Sequence, residues 1–295
     1  MHPQPLTSAP GRPDERESVL DRLVSTEWLA GEAGAADLRI VDASYGPATA
    51  AADHAAGHIP GAVFLDLETL VDAASPLPNM LPDAETFAAR MRALGLDRGS
   101  RIVLYDDAPW KTAARAWWML GLFGAHDVAI LDGGLAKWKA EGRDLATGKE
   151  TLRHRHFTVW KDEAGVRTLE RMKANVESGA EQVLDARSAA RFTGAEPDPR
   201  PATHAGHIPG SKNLPYGDLF NADGTWKQGD ALRAAFDAAG IDLGRPLVTT
   251  CGSGITAAVL LFGATLLGAE DVGLYDGSWS EWGADASTPK ATGLA

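Results

Sequence analysis

The chain is written as two similar halves, and this internal repeat restricts the possible folds more than any other feature. The segment GHIPGAVFLDLETL, which begins at Gly57, matches GHIPGSKNLPYGDLF from Gly206, 149 positions later. DVAILDGGLAKW from Asp127 matches DVGLYDGSWSEW from Asp271, 144 positions later. Because the two offsets are close, the repeat predicts two domains of the same fold in tandem, which differ by small insertions.

Each half contains short apolar runs that alternate with longer helical stretches. The runs typical of strands are LRIVDA, RIVLYD and VAILD in the first half and EQVLDA, PLVTTC and VGLYD in the second. Helical patterns such as AARAWWMLGLFG and ITAAVLLFGATLLG indicate βα units around a parallel sheet. We therefore predict an α/β fold with two similar domains at residues 20–145 and 168–286, joined by a linker at residues 146–167. The basic run GKETLRHRH is interpreted as a solvated part of that linker.

Charge and hydropathy exclude several classes of function. The chain has 28 Lys and Arg against 40 Asp and Glu, and its net charge of −12 would repel nucleic acid and anionic membranes. Residues 1–20 lack the apolar run of a signal peptide and are expected to form a flexible tail. The longest apolar stretch, at residues 257–269, is too short to span a bilayer and is predicted to be a buried amphipathic helix. We expect a cytoplasmic protein without nucleic-acid or membrane partners.

The only cysteine, Cys251, lies in the segment TTCGSGITA. A single cysteine excludes an intramolecular disulfide and a Cys-rich zinc site, so Cys251 is either an inert buried residue or a reactive thiol. With the offset of 144, Cys251 aligns with Asp107, whose surroundings DDAPWKTA lack the glycine spacing of the cysteine loop. If this position served only the fold, either loop could occupy it in both halves. The divergence of the two loops therefore favours a reactive cysteine. The duplicated GHIPG is interpreted as scaffold, and its His207 as a structural histidine.

The residues after Cys251 have the composition of an anion-binding loop between a strand and a helix. Glycines at positions 252 and 254 permit the backbone angles with which the following amides can curl around the sulfur. The positive end of the helix adds to this field, so the thiolate, which is the nucleophilic form, is favoured. Ser253 and Thr256 could donate hydroxyl hydrogen bonds, although Thr256 could equally cap the helix. A cysteine phosphatase would need an arginine where this chain has Ala257.

The second half carries six more residues than the first between the strand-end acid and GHIPG. They fall within RFTGAEPDPRPAT and bring Arg191 and Arg200 into the domain of Cys251. Because arginine presents a rigid fork that matches a carboxylate, the pair is a candidate substrate site. The alternative is that both are ordinary surface arginines, paired with Glu196 or Asp198.

Together these features resemble the tandem-domain rhodanese family, and within it the 3-mercaptopyruvate sulfurtransferases. The resemblance covers residues 23–283 and rests on VLDARSAARF, the duplicated GHIPG, WWMLGLFG, LDGGLAKW, CGSGITA and YDGSWSEW. It implies two rhodanese-like domains, of which the first is inactive and the second carries a Cys251 that accepts sulfane sulfur. It also implies that Arg191 and Arg200 bind the substrate carboxylate.

For such a protein we expect a sulfurtransferase mechanism. The Cys251 thiolate attacks the sulfur of 3-mercaptopyruvate, pyruvate leaves as its enolate, and the enzyme keeps the sulfur as a persulfide. Because the chain has no second cysteine, an external acceptor such as cyanide, a small thiol or reduced thioredoxin then removes the sulfur. No metal or organic cofactor is needed. The predicted site comprises the catalytic residues Cys251 and Ser253 and the substrate-binding residues Arg191, Arg200, Gly252, Gly254, Ile255 and Thr256.

Two alternatives remain open at this level. A thiosulfate sulfurtransferase would usually carry basic residues where this loop has Gly252 and Ser253, so the neutral loop favours 3-mercaptopyruvate. A non-catalytic sulfur carrier or partner-binding module is the second alternative, and the intact loop argues against it.

One departure from the family pattern bears on the substrate. Many of the family's 3-mercaptopyruvate enzymes carry an aspartate and a histidine in the first domain, proposed to relay protons toward the loop serine. The matching residues here are Glu68 and Asn79. Because asparagine does not titrate, either water and loop groups protonate the enolate or the substrate preference has changed. The alternative interpretation is that Glu68 and Asn79 are ordinary loop residues at the domain interface.

Overall fold

The computed structural model describes residues 20–46, 48–150, 155–200 and 203–294. Within them the chain forms two α/β domains, each built on a five-stranded sheet in which all neighbouring strands are parallel. The strand order, given as first to fifth strand of each domain, is 1-5-4-2-3 in both. The predicted α/β fold with two similar domains is therefore confirmed.

The first sheet and its helices come from the N-terminal half. Its strands are β1 (Leu23–Val24), β2 (Leu38–Asp42), β3 (Ala62–Phe64), β4 (Arg101–Tyr105) and β5 (Val128–Leu131). Its helices are α1 (Thr26–Glu32), α2 (Ala50–Ala56), α3 (Ala84–Ala93), α4 (Ala113–Leu122) and α5 (Gly134–Ala140). The central strands β2 and β4 are nearly continuous apolar runs, because helices cover both faces of a parallel sheet.

The second sheet repeats this plan. Its strands are β6 (Val166–Arg167), β7 (Gln182–Asp185), β8 (Lys212–Asn213), β9 (Leu247–Thr250) and β10 (Val272–Tyr275). Its α-helices are α6 (Leu169–Ser178), α7 (Ala189–Thr193), α8 (Gly229–Ala238), α9 (Ala257–Leu266) and α10 (Ser278–Trp282). Two short 3₁₀ helices occupy Glu163–Gly165 and Tyr216–Leu219. The predicted strand segments EQVLDA, PLVTTC and VGLYD contain β7, β9 and β10, respectively.

The helix α9 corrects one prediction. It was expected to be amphipathic, but residues 257–264 are all buried, so the helix has no solvent-facing side along most of its length. The reason is that α9 packs on its own sheet and also on α4 of the first domain. Trp117 of α4 meets Phe262 of α9 edge to face, with ring centroids 4.9 Å apart. The two domains thus share an apolar helix-on-helix interface.

The sheet register corrects the alignment of the cysteine. In the first sheet Asp42 lies opposite Tyr105, and in the second Asp185 lies opposite Thr250. The residue after Thr250 is Cys251, so its counterpart is Asp106 and the predicted match with Asp107 is wrong by one position. The physical cause is that the loop before α4 spans residues 106–112, one residue more than the loop at 251–256 before α9.

Part of the predicted linker lies along the first domain. Ala146 forms an antiparallel bridge with His58, and the amide of Asp162 donates to the carbonyl of Leu122 at 2.8 Å. Phe157 is buried in the core. Residues 151–154 of the basic run and residues 1–19 of the expected tail lie outside the described residues. The exact domain boundaries stay a prediction.

Candidate active site

Cys251 lies directly after β9, at the carboxyl edge of the second sheet, and is only 2% exposed. The first residues of α10 support its loop from behind. The Ser278 hydroxyl oxygen accepts the amides of Cys251 at 3.2 Å and of Gly254 at 3.1 Å, and the Trp279 amide donates to the Cys251 carbonyl at 3.0 Å. Hydrogen bonds with the first residues of α10 therefore hold the loop in its shape.

Several amides of this loop are not used by the protein. Among the described residues, no protein group accepts a hydrogen bond from the amides of Gly252, Ser253, Ile255, Thr256 or Ala257. The last two lie where α9 begins, and the positive end of a helix attracts negative charge. These donors are therefore available to an anion at the loop.

The equivalent loop of the first domain, which is one residue longer, has a carboxyl group at the position of Cys251. Asp106, the counterpart of Cys251, accepts the amide of Ala113 at 2.8 Å and that of Ala108 at 3.5 Å. Ala113 begins α4 as Ala257 begins α9, so the carboxylate uses an amide that stays unused in the second domain. Burial raises the pKa of Asp106 to about 6. The first-domain loop therefore directs amide donors at a carboxylate, but these hydrogen bonds do not offset the burial that disfavours its charge.

Arg200 contacts the loop directly. Its guanidinium lies so close to Gly252 that a Cβ at that position would be 2.4 Å from Nη2. Its Nη1 donates to Asp198 at 3.0 Å and 3.2 Å from the two carboxylate oxygens, and the Asp198 side chain is buried. The alternative pairing with Asp198 is thus present, and the same pairing holds the guanidinium against the cysteine loop.

Arg191 lies in α7, which begins at the same edge of the sheet as the cysteine loop because β7 pairs with β9. Ser188 caps the start of the helix, and its hydroxyl accepts the Arg191 amide at 3.4 Å. Within the described parts of the chain, the Arg191 guanidinium makes no hydrogen bond or ion pair, and the alternative pairing with Glu196 is not seen. A half-buried arginine without a protein partner remains free to bind an anionic ligand.

Ser253 is linked to the first domain through Asn79. Asn79 Nδ2 donates to Ser253 Oγ at 3.0 Å, and Asn79 Oδ1 accepts the Tyr45 hydroxyl at 3.1 Å. Glu68, by contrast, is exposed and contributes only a nearby charge, which together with burial raises the pKa of Tyr45. Of the two residues that depart from the family pattern, Asn79 contacts the predicted site. Thr256 makes no capping hydrogen bond with its side chain.

Arg115, which was not among the residues predicted from the sequence, lies in α4 of the first domain and is 2% exposed. Its Nη1 donates to Asp276 Oδ1 at 2.8 Å and to the carbonyl of Gly254 at 3.2 Å. Its Nη2 donates to the carbonyl of Asn79 at 2.6 Å. A lone arginine inside the apolar stretch AARAWWMLGLFG was the available signal, since a buried charge requires partners.

A family model for the rhodanese-like domain matches the chain twice, at residues 25–141 and 168–285. The chain belongs to the rhodanese family. Its two similar domains, each with a parallel sheet, are therefore rhodanese-like domains. The family resemblance that the sequence motifs indicated is confirmed. Among the described residues, no group of three or more His, Cys, Asp or Glu side chains could hold a metal ion, and no helix has the length and apolarity to cross a membrane.

Individual relatives span nearly the whole chain. A 3-mercaptopyruvate sulfurtransferase of Escherichia coli K12 is 42% identical over 272 residues, which cover 90% of this chain and 96% of the relative. A thiosulfate sulfurtransferase of Bos taurus is 38% identical over 271 residues, which cover 88% of this chain and 91% of the relative. The crystal structure of SseA from Escherichia coli, a 3-mercaptopyruvate sulfotransferase, superposes with a TM-score of 0.81 at 38% identity, covering 89% of this chain and 100% of SseA.

Proposed function

We propose that this rhodanese is a 3-mercaptopyruvate sulfurtransferase, which moves sulfane sulfur from 3-mercaptopyruvate to an acceptor and releases pyruvate. The observation that carries the proposal is the buried Cys251 loop with unused amides and with Arg200 packed against Gly252. The 42% identity to a 3-mercaptopyruvate sulfurtransferase supports the same substrate.

In the first step the Cys251 thiolate attacks the sulfur of 3-mercaptopyruvate. A sulfur–sulfur bond forms and the carbon–sulfur bond of the substrate breaks, so its electron pair passes to the leaving pyruvate enolate, which is then protonated. Arg191 and Arg200 bind the substrate carboxylate and fix the line of attack. Cys251 is left as a persulfide.

The loop stabilises the negative charge that develops in this step. The amides of Gly252, Ile255 and Thr256 supply donors without reorganisation, and Ser253 supplies a hydroxyl. Gly254 allows the turn, because its φ of 79° lies in the left-handed region. These roles are proposed from the positions of the groups around Cys251.

In the second step a nucleophilic acceptor attacks the outer sulfur and regenerates the Cys251 thiolate. Cyanide or a small thiol takes up the sulfur directly, whereas a reduced dithiol protein of the thioredoxin type becomes a disulfide and releases the sulfur as sulfide. Because donor and acceptor react in turn at one thiol, ping-pong kinetics are expected. A cytoplasmic location stays a prediction.

The 38% identity to the bovine thiosulfate sulfurtransferase makes thiosulfate the second candidate donor. The test is kcat/KM for 3-mercaptopyruvate and for thiosulfate with one acceptor, on the wild type and on Cys251→Ser. A preference for 3-mercaptopyruvate that disappears with the thiol supports the proposal. A preference for thiosulfate would overturn the substrate, and no turnover of either donor would indicate a sulfur carrier or partner-binding module.

A further inference from the structure

Three side chains form a continuous hydrogen-bonded line from the first domain to the catalytic loop. The Tyr45 hydroxyl donates to Asn79 Oδ1 at 3.1 Å, and Asn79 Nδ2 donates to Ser253 Oγ at 3.0 Å. Every bond in this line runs in the same direction. Ser253 therefore accepts a hydrogen bond from Asn79, and its own hydroxyl proton is left for another acceptor.

We propose that Asn79, held by Tyr45, is a positioning residue that turns the hydroxyl proton of Ser253 toward Cys251 and the sulfur donor. The inference rests on the proposed function. In this role Asn79 orients the Ser253 hydroxyl and transfers no proton. It thus differs from the proton relay proposed for the family's aspartate and histidine.

Electrostatics favours this direction over the opposite one. If the Asn79 amide were rotated, its oxygen would take the Ser253 proton, and the oxygen lone pairs of Ser253 would face the Cys251 thiolate. With the observed direction, the hydroxyl dipole presents its positive end to the thiolate, the enolate and the persulfide in turn. A hydrogen bond from this hydroxyl to an anionic sulfur or enolate would be charge-assisted, and so stronger than a bond between neutral groups.

The direction does not depend on pH, because an amide does not ionise. Burial, with help from the charge of Glu68, raises the pKa of Tyr45, so its hydroxyl keeps the proton that it donates to Asn79 Oδ1. The other charged groups near Asn79 are Arg115, which binds its backbone carbonyl, and Asp276, which pairs with Arg115. These two side chains hold the backbone of Asn79 in place.

The backbone of Asn79 determines which substitution is informative. Its φ of 61° lies in the left-handed region, which Asn and Asp adopt more readily than other residues with side chains. Asn79→Asp therefore keeps the shape and the backbone while it replaces the donor to Ser253 by an acceptor. The carboxylate would take the Ser253 proton and turn it away from Cys251.

The test is a double-mutant cycle with Asn79→Asp, Ser253→Ala and the double variant, assayed with 3-mercaptopyruvate. We expect Asn79→Asp to lower kcat about 100-fold with KM little changed, since it removes one donor from the developing charge. In the Ser253→Ala background the same substitution should cost less than about tenfold, because no hydroxyl remains to be misdirected. Equal losses in both backgrounds would overturn the inference, because they would show that Asn79→Asp acts through its charge or through the fold.

Tyr45→Phe gives an independent test that leaves the charge unchanged. It releases the Asn79 amide, so kcat should fall by a smaller factor, and this loss should vanish in the Ser253→Ala background. If thermal unfolding shows that Asn79→Asp is not folded, the cycle with Tyr45→Phe decides the question. If the wild type is inactive on 3-mercaptopyruvate, the proposed function is overturned together with the inference. If the wild type is active but the effects of Asn79→Asp and Tyr45→Phe do not depend on Ser253, only the inference is overturned.

Discussion

Arg115 of the first domain and Asp276 of the second form a buried ion pair, with Nη1 donating to Oδ1 at 2.8 Å. Asp276 also accepts the amide of Leu81 at 2.8 Å, while Arg115 donates to the carbonyl of Gly254 in the cysteine loop. The pair therefore joins the domain interface to the cysteine loop. The first domain, which has no thiol, thus supplies groups that hold the cysteine loop of the second.

We expect Arg115→Met to be strongly destabilising, by about 3–5 kcal/mol, because it leaves the Asp276 carboxylate buried without its partner. Urea unfolding followed by fluorescence measures the loss. Arg155→Met is the matched control, since Arg155 pairs with Asp97 but is 44% exposed, and such a pair contributes only about 0–1 kcal/mol. Equal effects of the two substitutions would show that burial of the interdomain pair is unimportant.

Arg191→Ala and Arg200→Ala should each raise KM for 3-mercaptopyruvate. Loss of one charge-assisted bond to the carboxylate costs about 1.5–3 kcal/mol, which corresponds to roughly a 10-fold to 150-fold effect. Steady-state kinetics with both sulfur donors checks this, and Arg233→Ala, an exposed arginine on α8, serves as the control. If thiosulfate turnover fell by the same factor, the carboxylate-binding role would be wrong.

The two glycines of the cysteine loop should fail in different ways. A Cβ at Gly252 would lie 2.4 Å from Arg200 Nη2, the flexible end of a side chain, so Gly252→Ala should displace Arg200 and raise KM while the fold survives. A Cβ at Gly254 would lie 3.0 Å from the carbonyl of Asp276, and its φ of 79° is unfavourable for other residues. Gly254→Ala should therefore lower stability, by about 1–3 kcal/mol. Kinetics and thermal unfolding on both variants separate the effects, and similar behaviour would contradict this distinction.

Local patterns in the sequence predicted the strands and the loop that carries Cys251, because these features depend on neighbouring residues. The runs that end at Asp42 and Asp185 are β2 and β7, and the strand–loop–helix unit around Cys251 is present as expected. Contacts between the two domains could not be predicted from such local patterns. Neither Tyr45 nor Arg115 belongs to a motif that points to Ser253 or Gly254, since their contacts arise only when the domains pack.

The same limit explains the two corrections. The helix α9 contains an apolar sequence that is compatible with an amphipathic or a fully buried helix, and only the position of α4 decides between them. The one-residue difference between the loops before α4 and α9 is invisible in an alignment by constant offset. The strand pairing of Asp42 and of Asp185 reveals it, and with it the match of Cys251 to Asp106.

That match leads to a prediction on pH and stability. The pKa of Asp106 is raised by burial from 3.8 to about 6, so the folded protein binds this proton more tightly than the unfolded chain. The cost of the buried charge is therefore present in full above about pH 6 and is relieved as the pH falls from 6 toward 4. Asp106→Asn is neutral throughout, so the stability of the wild type relative to this variant should increase over that range, by up to about 3 kcal/mol.

Urea unfolding of both proteins between pH 4 and about pH 8 measures this difference. Groups that titrate alike in the two proteins cancel, so the change with pH reports on Asp106. A difference that stays constant with pH would mean that the hydrogen bonds from the amides of Ala113 and Ala108 compensate the burial. In that case the loop before α4 would hold a full negative charge without penalty.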